Sequence, residues 1–439
     1  MKGNNLVSSK YCQTMLPSTF GAGELNLAEL LDIALQNNPS TKQTWAMARA
    51  SAAQYGQSLS GFYPNIAFDG SYVRAKGTFI EAGLPIPSLT TYGGPDVTLS
   101  YTLFDFGQRT SAAMAAREAL YYADLTHNQE IQTVMQTVMD DYYNYLYQLA
   151  QLRANEANLA NAQMSLDAAN ERFSLGLAAL GDVAQARTQF LQNRINLTTQ
   201  KQNVENAFAQ MAVDLGLPAN VRFKVQPMPE QVIADPVLES VDQLVAAAQV
   251  QRQDFLAAQA NLRSKEASLL NAKRAVLPVI GSDFDVGHFW FNGGVQERNI
   301  HWSASFSMTF PLFDGFYYKN GVRNAEANVE LAKAQLMQTE LTVIQNVTTS
   351  HMGVKTAALN LADSDEYLKS AELEFKIALA TYKAGTGTIL DVISAQSFLA
   401  DARSQKAQAQ QNWFTALASI AYATGSLCAT PNEEGCEAH

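Results

Sequence analysis

The apolar positions of this chain follow two different periods. In two stretches they recur every seven residues, at Val183, Phe190, Leu197, Val204 and Met211, and at Ala395, Ala402, Ala409, Ala416 and Ala423. A strict spacing of seven is typical of helices that supercoil to the left. The segment from about Arg109 to Phe173 contains no proline. At 1.5 Å per residue it predicts a helix on the order of 95 Å long.

Four other segments alternate apolar and polar residues with a period of two. They lie at about 62–74, 96–105, 277–290 and 300–313. In the last one, Trp302, Phe306 and Phe310 alternate with serine and threonine, over the length of a tilted membrane-spanning strand. An edge of a soluble sandwich would alternate too. A face of aromatic and aliphatic side chains opposite a face of serine, threonine and aspartate favours lipid on one side and water on the other.

The alternation assigns eight side chains to the lipid-facing side of a barrel. They are Phe68, Tyr72, Leu99, Tyr101, Phe284, Trp302, Phe306 and Phe310. Four strands cannot close a barrel, and lipid does not tolerate unpaired strand edges. Two copies would give eight strands filled by side chains, whereas three give twelve strands that can enclose water. We therefore predict an α+β membrane protein, a homotrimer whose twelve-stranded β-barrel is continued by an α-helical coiled-coil barrel.

The chain also contains an internal duplication. Leu103-Phe104-Asp105 recurs as Leu312-Phe313-Asp314, a shift of 209 that also relates Gly176 to Gly385. Upstream the shift is 214, as from Pro64 to Pro278. Each repeat is expected to contain two shorter helices, two strands and two long helices.

The duplication predicts the domain boundaries. We expect an N-terminal extension at 1–23, a first repeat at 24–216, a proline-containing linker at 217–237, a second repeat at 238–427 and a tail at 428–439. The long helices are predicted at about 108–175, 181–215, 317–384 and 389–424. The segments 75–94 and 291–299 are predicted to be loops that face the cell exterior.

Composition excludes several classes of protein. With 47% hydrophobic and 16% charged residues, the 439-residue chain is not intrinsically disordered. Its net charge of −11 argues against a partner with a phosphate backbone, so we expect no nucleic acid.

Three cysteines are too few for a disulfide framework, although Cys428 and Cys436 could close a short loop or remain thiols. The first residues have no apolar core of the kind that a signal peptide needs, so we expect the signal to be absent from the given chain. The bulky, charged sequence before Cys12 does not favour lipidation there.

No catalytic arrangement is evident. The five histidines lack metal-ligand spacing, and the glycine-rich segments are not phosphate loops. His288 and His301 are interpreted as solvated histidines at the barrel rim, near the loop between the last two strands. We therefore expect no enzyme activity, no cofactor and no metal.

Three segments carry a close resemblance to a known family. They are Tyr101-Thr102-Leu103-Phe104-Asp105-Phe106-Gly107, Phe310-Pro311-Leu312-Phe313-Asp314-Gly315, and Tyr382-Lys383-Ala384-Gly385-Thr386-Gly387-Thr388-Ile389-Leu390-Asp391-Val392. Together with the duplication, they resemble the TolC-like outer-membrane efflux proteins over about 24–427. The resemblance implies a homotrimer in the Gram-negative outer membrane with a tunnel reaching into the periplasm. Such proteins dock with a periplasmic adaptor and an inner-membrane transporter, in efflux pumps or type I secretion, to export drugs, metals or proteins.

The resemblance further implies a gate at the helix ends far from the barrel. Asp391 matches a constriction aspartate, and Ser394 stands where a second one can occur. Asp182 and Tyr382 match tether positions, Gly387 stands where a tethering arginine can occur, and Gly176 and Gly385 lie in the tip turns. A threefold ring of Asp391 would favour cations. Helix capping remains an alternative role for both aspartates.

A second class of function also remains open. A soluble periplasmic coiled-coil adaptor or secretion scaffold would explain the period of seven. It would leave the four amphipathic strands without a role. The export channel accounts for both patterns.

Overall fold

The structure, a computed structural model, describes residues 23–81, 84–227, 239–292 and 296–428. The expectations for Cys12, Cys436 and most of both termini lie outside these residues, as does the side chain of Cys428. The described part is predominantly helical. No helix in it combines the length and apolar content needed to cross a membrane.

The same order of elements occurs twice. The helices are α1 (Leu27–Asn37), α2 (Pro39–Leu59), α3 (Gln108–Ser174), α4 (Leu180–Asp214), α5 (Val241–Gln251), α6 (Gln253–Arg274), α7 (Tyr317–Ala384) and α8 (Ile389–Thr424). The strands are β1 (Glu24–Leu25), β2 (Asn65–Glu81), β3 (Leu84–Phe104), β4 (Lys224–Val225), β5 (Val279–Asn292) and β6 (Gln296–Thr309). Two helices, two long strands, a very long helix and a final helix follow both β1 and β4, which pair in parallel.

Corresponding helices begin in the same way. The side chain of Asn26 accepts a hydrogen bond from the amide of Glu29, whose carboxylate accepts one from the amide of Asn26. Ser240 and Gln243 form the same reciprocal pair at the start of α5. Each of these reciprocal pairs is a capping box, and it satisfies two amides that the first helical turn would leave unpaired. The two boxes stand 214 positions apart, the shift found in the sequence.

The chain divides into two compact units, the first formed by the described residues of 1–45, 126–256 and 339–439. It contains three apolar clusters. One of them surrounds Leu30, Ile33 and Met211, which are at most 1% exposed. The others lie along α7 and α8, around Val392 and Trp413. The packing of long helices along their seams therefore supplies the core of this unit.

Along most of α4, the buried positions are not the apolar residues that recur every seven positions in the sequence. Val183, Phe190, Leu197 and Val204 are only partly buried, whereas Ala186, Asn193, Gln200 and Ala207 are buried. Gln200 can be buried because its amide donates to the carbonyl of Gln148 at 2.9 Å and to its side chain at 2.8 Å. A pattern of apolar residues alone does not reveal such polar seam positions.

The second unit, residues 46–125 and 257–338, contains an antiparallel sheet in the order β2-β3-β5-β6. The paired residues include Phe68 with Val97, Leu99 with Phe284, and Val286 with Trp302. Directly paired residues point to the same face. One face is therefore largely apolar and the other polar, as the alternation predicts.

The strands are longer than predicted at the ends remote from the helices. β2 and β3 pair without interruption to Glu81 and Leu84, so the loop predicted at 75–94 is wrong. Pro85 and Pro87 lie in β3 before Thr91, where the described pairing of β3 with β5 begins. Proline is tolerated at a strand edge, where its missing N–H removes no ladder bond. Continuous pairing to Asn292 and Gln296 likewise makes most of the predicted loop 291–299 strand.

The strands begin and end differently near the helices as well. β2 begins at Asn65 because residues Ser60–Phe62 form a short 3-10 turn. β6 ends at Thr309, so the strand predicted at 300–313 is four residues too long. Pro311 follows and cannot donate to a sheet.

The repeated Leu-Phe-Asp motif forms the turn from strand to long helix. The carboxylate of Asp105 accepts hydrogen bonds from the amides of Gly107 and Arg109, at 3.1 and 2.8 Å, and from the Arg109 side chain. In the second copy Asp314 accepts from the amide of Tyr318 at 2.8 Å. The aspartate thus satisfies amides at the start of each long helix.

Candidate functional site

The turns between the long helices are built alike. Gly176 and Gly385 have positive φ angles of 69° and 86°, which favour glycine. The amide of Leu177 donates to the carbonyl of Arg172, and the amide of Thr386 to that of Thr381, so both helices end in the same hydrogen-bonded motif. These bonds satisfy carbonyls at the ends of α3 and α7. The two helix pairs therefore reverse direction at a defined point.

Arg172 connects the two turns. Its guanidinium donates hydrogen bonds to the carbonyl of Tyr382 and, at 3.2 Å, to the carbonyl of Leu177. The same group lies over the Tyr382 ring, 4.7 Å from its centre. A cation near the carbonyl end of a helix is electrostatically favourable. The last turn of α3 is thereby attached to the last turn of α7.

Tyr382 is 1% exposed within the cluster along α7 and α8. Burial raises the pKa of its hydroxyl, the charge of Asp182 raises it further, and Arg172 opposes them. Among the described residues the hydroxyl has no hydrogen-bond partner. The structure thus brings Tyr382 into electrostatic reach of Asp182, while Arg172 makes the direct contacts.

The two tip aspartates have different surroundings. Asp391 closes a capping box with Thr388, whose amide and hydroxyl donate to the Asp391 carboxylate at 2.9 and 2.7 Å. These bonds lower the pKa of Asp391, which is exposed and charged near neutral pH. The start of α4 at Ala179 has no side-chain cap, so Asp182 does not take that role. The capping alternative therefore holds for Asp391 alone.

The remaining predicted gate residues lie close by in the chain. Ser394 is exposed on α8, three positions after Asp391. At Gly387 an added Cβ would lie 2.9 Å from the Thr381 hydroxyl and 3.2 Å from the Tyr382 nitrogen. Glycine at this position lets the turn pack against the end of α7.

Three further carboxyl groups meet where α3 approaches the end of α4. Burial raises the pKa of Asp140 to about 6. Burial also raises the pKa of Asp141, and the neighbouring carboxyl and charge of Asp214 raise it further. One carboxylate oxygen each of Asp140 and Asp141 is buried without a hydrogen-bond partner among the described residues. Asp140 and Asp141 are sensitive to pH because charging either carboxyl group is unfavourable in the folded chain.

Seven of the eight predicted lipid-facing residues belong to one face of the sheet. They are Phe68, Tyr72, Leu99, Tyr101, Phe284, Trp302 and Phe306. On the outer strands, Phe68, Tyr72, Trp302 and Phe306 are 68% to 80% exposed. Phe310 is also exposed but follows the end of β6. The sheet thus leaves an aromatic face uncovered.

Arg172 is the site residue that the sequence analysis missed. Its signal is modest, a basic side chain in the last turn of a helix that ends at glycine. Only the packing of α3 beside α7 brings it to Tyr382.

Comparison with known proteins agrees with this architecture. The family described as outer membrane efflux protein matches residues 30–217 and 244–426. The chain is 27% identical to protein CyaE of Bordetella pertussis, over 87% of this chain and 80% of that protein. It is 23% identical to the outer membrane protein TolC of Salmonella enteritidis, over 93% of this chain and 84% of TolC.

A solved structure has the same fold. The outer membrane protein VceC of Vibrio cholerae superposes with a TM-score of 0.80 at 19% identity, covering 91% of this chain and 96% of that one. TolC and VceC are both named as outer membrane proteins. The resemblance inferred from the repeated motifs is confirmed, and the chain belongs to the outer membrane efflux protein family.

Proposed function

We propose that three copies of this chain form an export channel that crosses the Gram-negative outer membrane and extends into the periplasm. The observation that carries this proposal is the sheet with two open edges. Among the described residues, β2 pairs only with β3 and β6 only with β5. Open edges are not tolerated in lipid, and edges of identical neighbours can satisfy them.

The two faces of the sheet support the same arrangement. The exposed aromatic side chains of one face suit lipid, and the polar side chains of the other suit a water-filled lumen. Twelve strands from three chains leave such a lumen, whereas eight would be filled by side chains. The long helices of the three chains would continue the barrel as a tunnel. The repeated element order and the shared capping boxes support an origin of the chain by internal duplication.

The partners follow from the family. We propose that the tips of the helices dock with a periplasmic adaptor and an inner-membrane transporter. Drugs, metals or proteins are the classes of cargo, and the partners would select among them. One relative, OpmQ of Pseudomonas putida, is named as a pyoverdine export protein and is 24% identical over 92% of this chain.

The tip residues fit a gate. In the closed state, Arg172 and Tyr382 hold the ends of α3 and α7 together, with Asp182 close to the same tyrosine. Asp391, exposed and charged at the start of α8, would form a ring of three carboxylates and favour cations. Opening the tunnel would require the Arg172 contacts to break.

A matched pair of substitutions on β6 tests the channel proposal. Phe306 and Ser305 are adjacent and lie on opposite faces of the strand. An arginine that faces lipid costs about 2–4 kcal/mol at the bilayer centre, whereas one in an aqueous lumen does not. Phe306→Arg should therefore reduce the amount of trimer in the outer-membrane fraction, and Ser305→Arg should leave it near the wild-type level.

The mass of the detergent-extracted protein provides the second measurement. It should correspond to three chains. A stable monomer that needs no detergent would overturn the proposal and favour a soluble adaptor or scaffold. Equal tolerance of the two arginines would also count against it.

A further inference from the structure

A histidine and two aspartates from three different strands meet on the polar face of the sheet. They are Asp96 on β3, Asp285 on β5 and His301 on β6. One ligand atom from each lies within 4.8 Å of the others. The Nε2 atom of His301 is 3.6 Å from Asp96 Oδ1 and 3.4 Å from Asp285 Oδ2. Two carboxylates and an imidazole are thus gathered around one point.

A glycine makes this meeting possible. Gly287 pairs with Asp96 on one side and with His301 on the other. A Cβ atom at Gly287 would lie 2.6 Å from Asp96 Oδ1 and 2.7 Å from His301 Cε1. Because β5 has no side chain at Gly287, the side chains of Asp96 on β3 and His301 on β6 approach each other above it.

The second oxygen of each carboxylate is held by a hydroxyl group. Thr98 donates to Asp96 Oδ2 at 3.1 Å, and Ser303 donates to Asp285 Oδ1. Asp96 Oδ1 is buried and accepts no hydrogen bond from the described residues. The oxygens that face His301 are therefore oriented by their neighbours, as outer-shell partners orient the ligands of metal sites.

We propose that Asp96, Asp285 and His301 bind a divalent transition-metal cation such as Zn²⁺. Oxygen and nitrogen ligands about 2.1 Å from a tetrahedral zinc ion lie about 3.4 Å from one another. The two distances from His301 Nε2 are close to this value. Two carboxylates balance the charge of the cation, and the open side of the partly exposed cluster leaves a position for water.

This site goes beyond the export channel and does not depend on it. All three ligands belong to one chain and to neighbouring strands of one sheet, so closing a barrel is not required. Conversely, a channel without this metal site would still transport. Disproving the metal site would therefore leave the export channel standing, and disproving the channel would leave the metal site standing.

The test is a titration of the full chain, purified in detergent without a histidine tag and stripped of metal. Zn²⁺ binding is measured by calorimetry, and Co²⁺ binding by its visible absorption, which is strong for tetrahedral coordination. We expect one saturable site per chain. His301→Gln and Asp285→Asn should each weaken Zn²⁺ binding by at least about tenfold, since each removes one of three ligands.

Two matched variants control for unspecific effects. His288→Gln removes a histidine from the apolar face of the sheet, opposite to His301. His288 is two positions from Val286, which pairs with Trp302 on that apolar face. Asp283→Asn removes a carboxylate from the same face, two positions from Asp285. Both should bind Zn²⁺ as the wild type does. Thermal unfolding without metal shows whether each variant is folded.

Two results would overturn the proposal. One is Zn²⁺ binding that persists unchanged in His301→Gln and Asp285→Asn. The other is the absence of a saturable site in folded wild-type protein, which would leave His301 as a neighbour of two carboxylates and no more.

Discussion

The guanidinium of Arg172 lies over the ring of Tyr382 and donates to its carbonyl oxygen. Arg172 stands in the last turn of α3, and Tyr382 in the last turn of α7. Two helices whose contacting residues are 210 positions apart in the sequence are thus attached by one side chain. Because the Tyr382 hydroxyl makes no hydrogen bond among the described residues, the attachment depends on the ring and the backbone.

Replacing Arg172 should favour the open tip. Arg172→Gln loses the cation over the ring and the forked donor, which together contribute about 1–2 kcal/mol. The ratio of open to closed channels should then rise by a factor of about 5 to 30. Single-channel recordings in planar bilayers measure this ratio as open probability.

A second arginine near the tip serves as the control. Arg187 is exposed on α4, so Arg187→Gln changes the same charge without touching Tyr382. Its open probability should match that of the wild type. An unchanged open probability in folded Arg172→Gln trimers would contradict the proposal that Arg172 holds the ends of α3 and α7 together in the closed state.

The charge at Asp391 should set ion selectivity. Asp391→Asn removes one negative charge per chain and should lower the cation preference, measured as the reversal potential across a salt gradient. The weakened capping box costs about 1 kcal/mol, which is too little to prevent assembly. Because the hydrogen bonds of Thr388 lower the pKa of Asp391, the wild-type preference should persist to a lower pH than an ordinary exposed aspartate would allow.

Ser394→Asp provides the opposite change on the same helix. It adds a charge three positions along α8 and should increase the cation preference. If neither variant shifts the reversal potential, Asp391 acts only as a capping residue.

Gly216 should be intolerant of a side chain. Its φ is +73°, and an added Cβ would lie 2.6 Å from the backbone carbon and oxygen of Asn37. Gly216→Ala should lower the free energy of unfolding by roughly 2–4 kcal/mol, from left-handed strain and the backbone clash. Gly321 lies in the interior of α7 with open space around it, so Gly321→Ala should raise stability by about 0.5–1 kcal/mol. Denaturant unfolding in detergent measures both, and equal effects would contradict this explanation.

Periodicity predicted much of the fold because it records which side of each element is buried. The alternation from Trp302 to Met308 predicted the strand β6, and the proline-free stretch predicted the long helix α3. The strand ends were harder to predict. The segment 75–94 was predicted to be a loop, yet β2 and β3 pair through it, and β3 accepts Pro85 and Pro87 because its described pairing with β5 begins only at Thr91. Such tolerance depends on which neighbour a strand has, and a local pattern does not contain that information.

For the same reason, the sequence predicted some residues of the candidate site and missed others. Tyr382 and Asp391 belong to a motif that is continuous in the chain. Arg172 reaches Tyr382 from 210 positions away. The sequence predicts His301 to be a solvated histidine at the barrel rim, near the loop between the last two strands. Its neighbours Asp96 and Asp285 come together only through the register of three strands.

The carboxyl groups of Asp140 and Asp141 should make stability depend on pH. An aspartate whose pKa is raised on folding binds its proton more strongly in the folded state than in the unfolded state. Its stabilising effect is complete below the unfolded pKa of about 4 and is lost as the pH rises through the folded pKa. For Asp140 that loss is complete once the pH has risen above the folded pKa of about 6. For Asp141, whose pKa is also raised by Asp214, the loss continues to higher pH.

Asp141→Asn removes one of these titrating groups and should flatten the pH dependence. Between pH 4 and 8 the free energy of unfolding of the wild type should fall by at most about 1.4 kcal/mol per pH unit for each such carboxyl. The variant should therefore gain stability relative to the wild type as the pH rises. Asp167→Asn, at an exposed position of the same helix, should leave the slope unchanged. A wild type whose stability rises across this range, with Asp141→Asn parallel to it, would contradict the raised pKa values of Asp140 and Asp141.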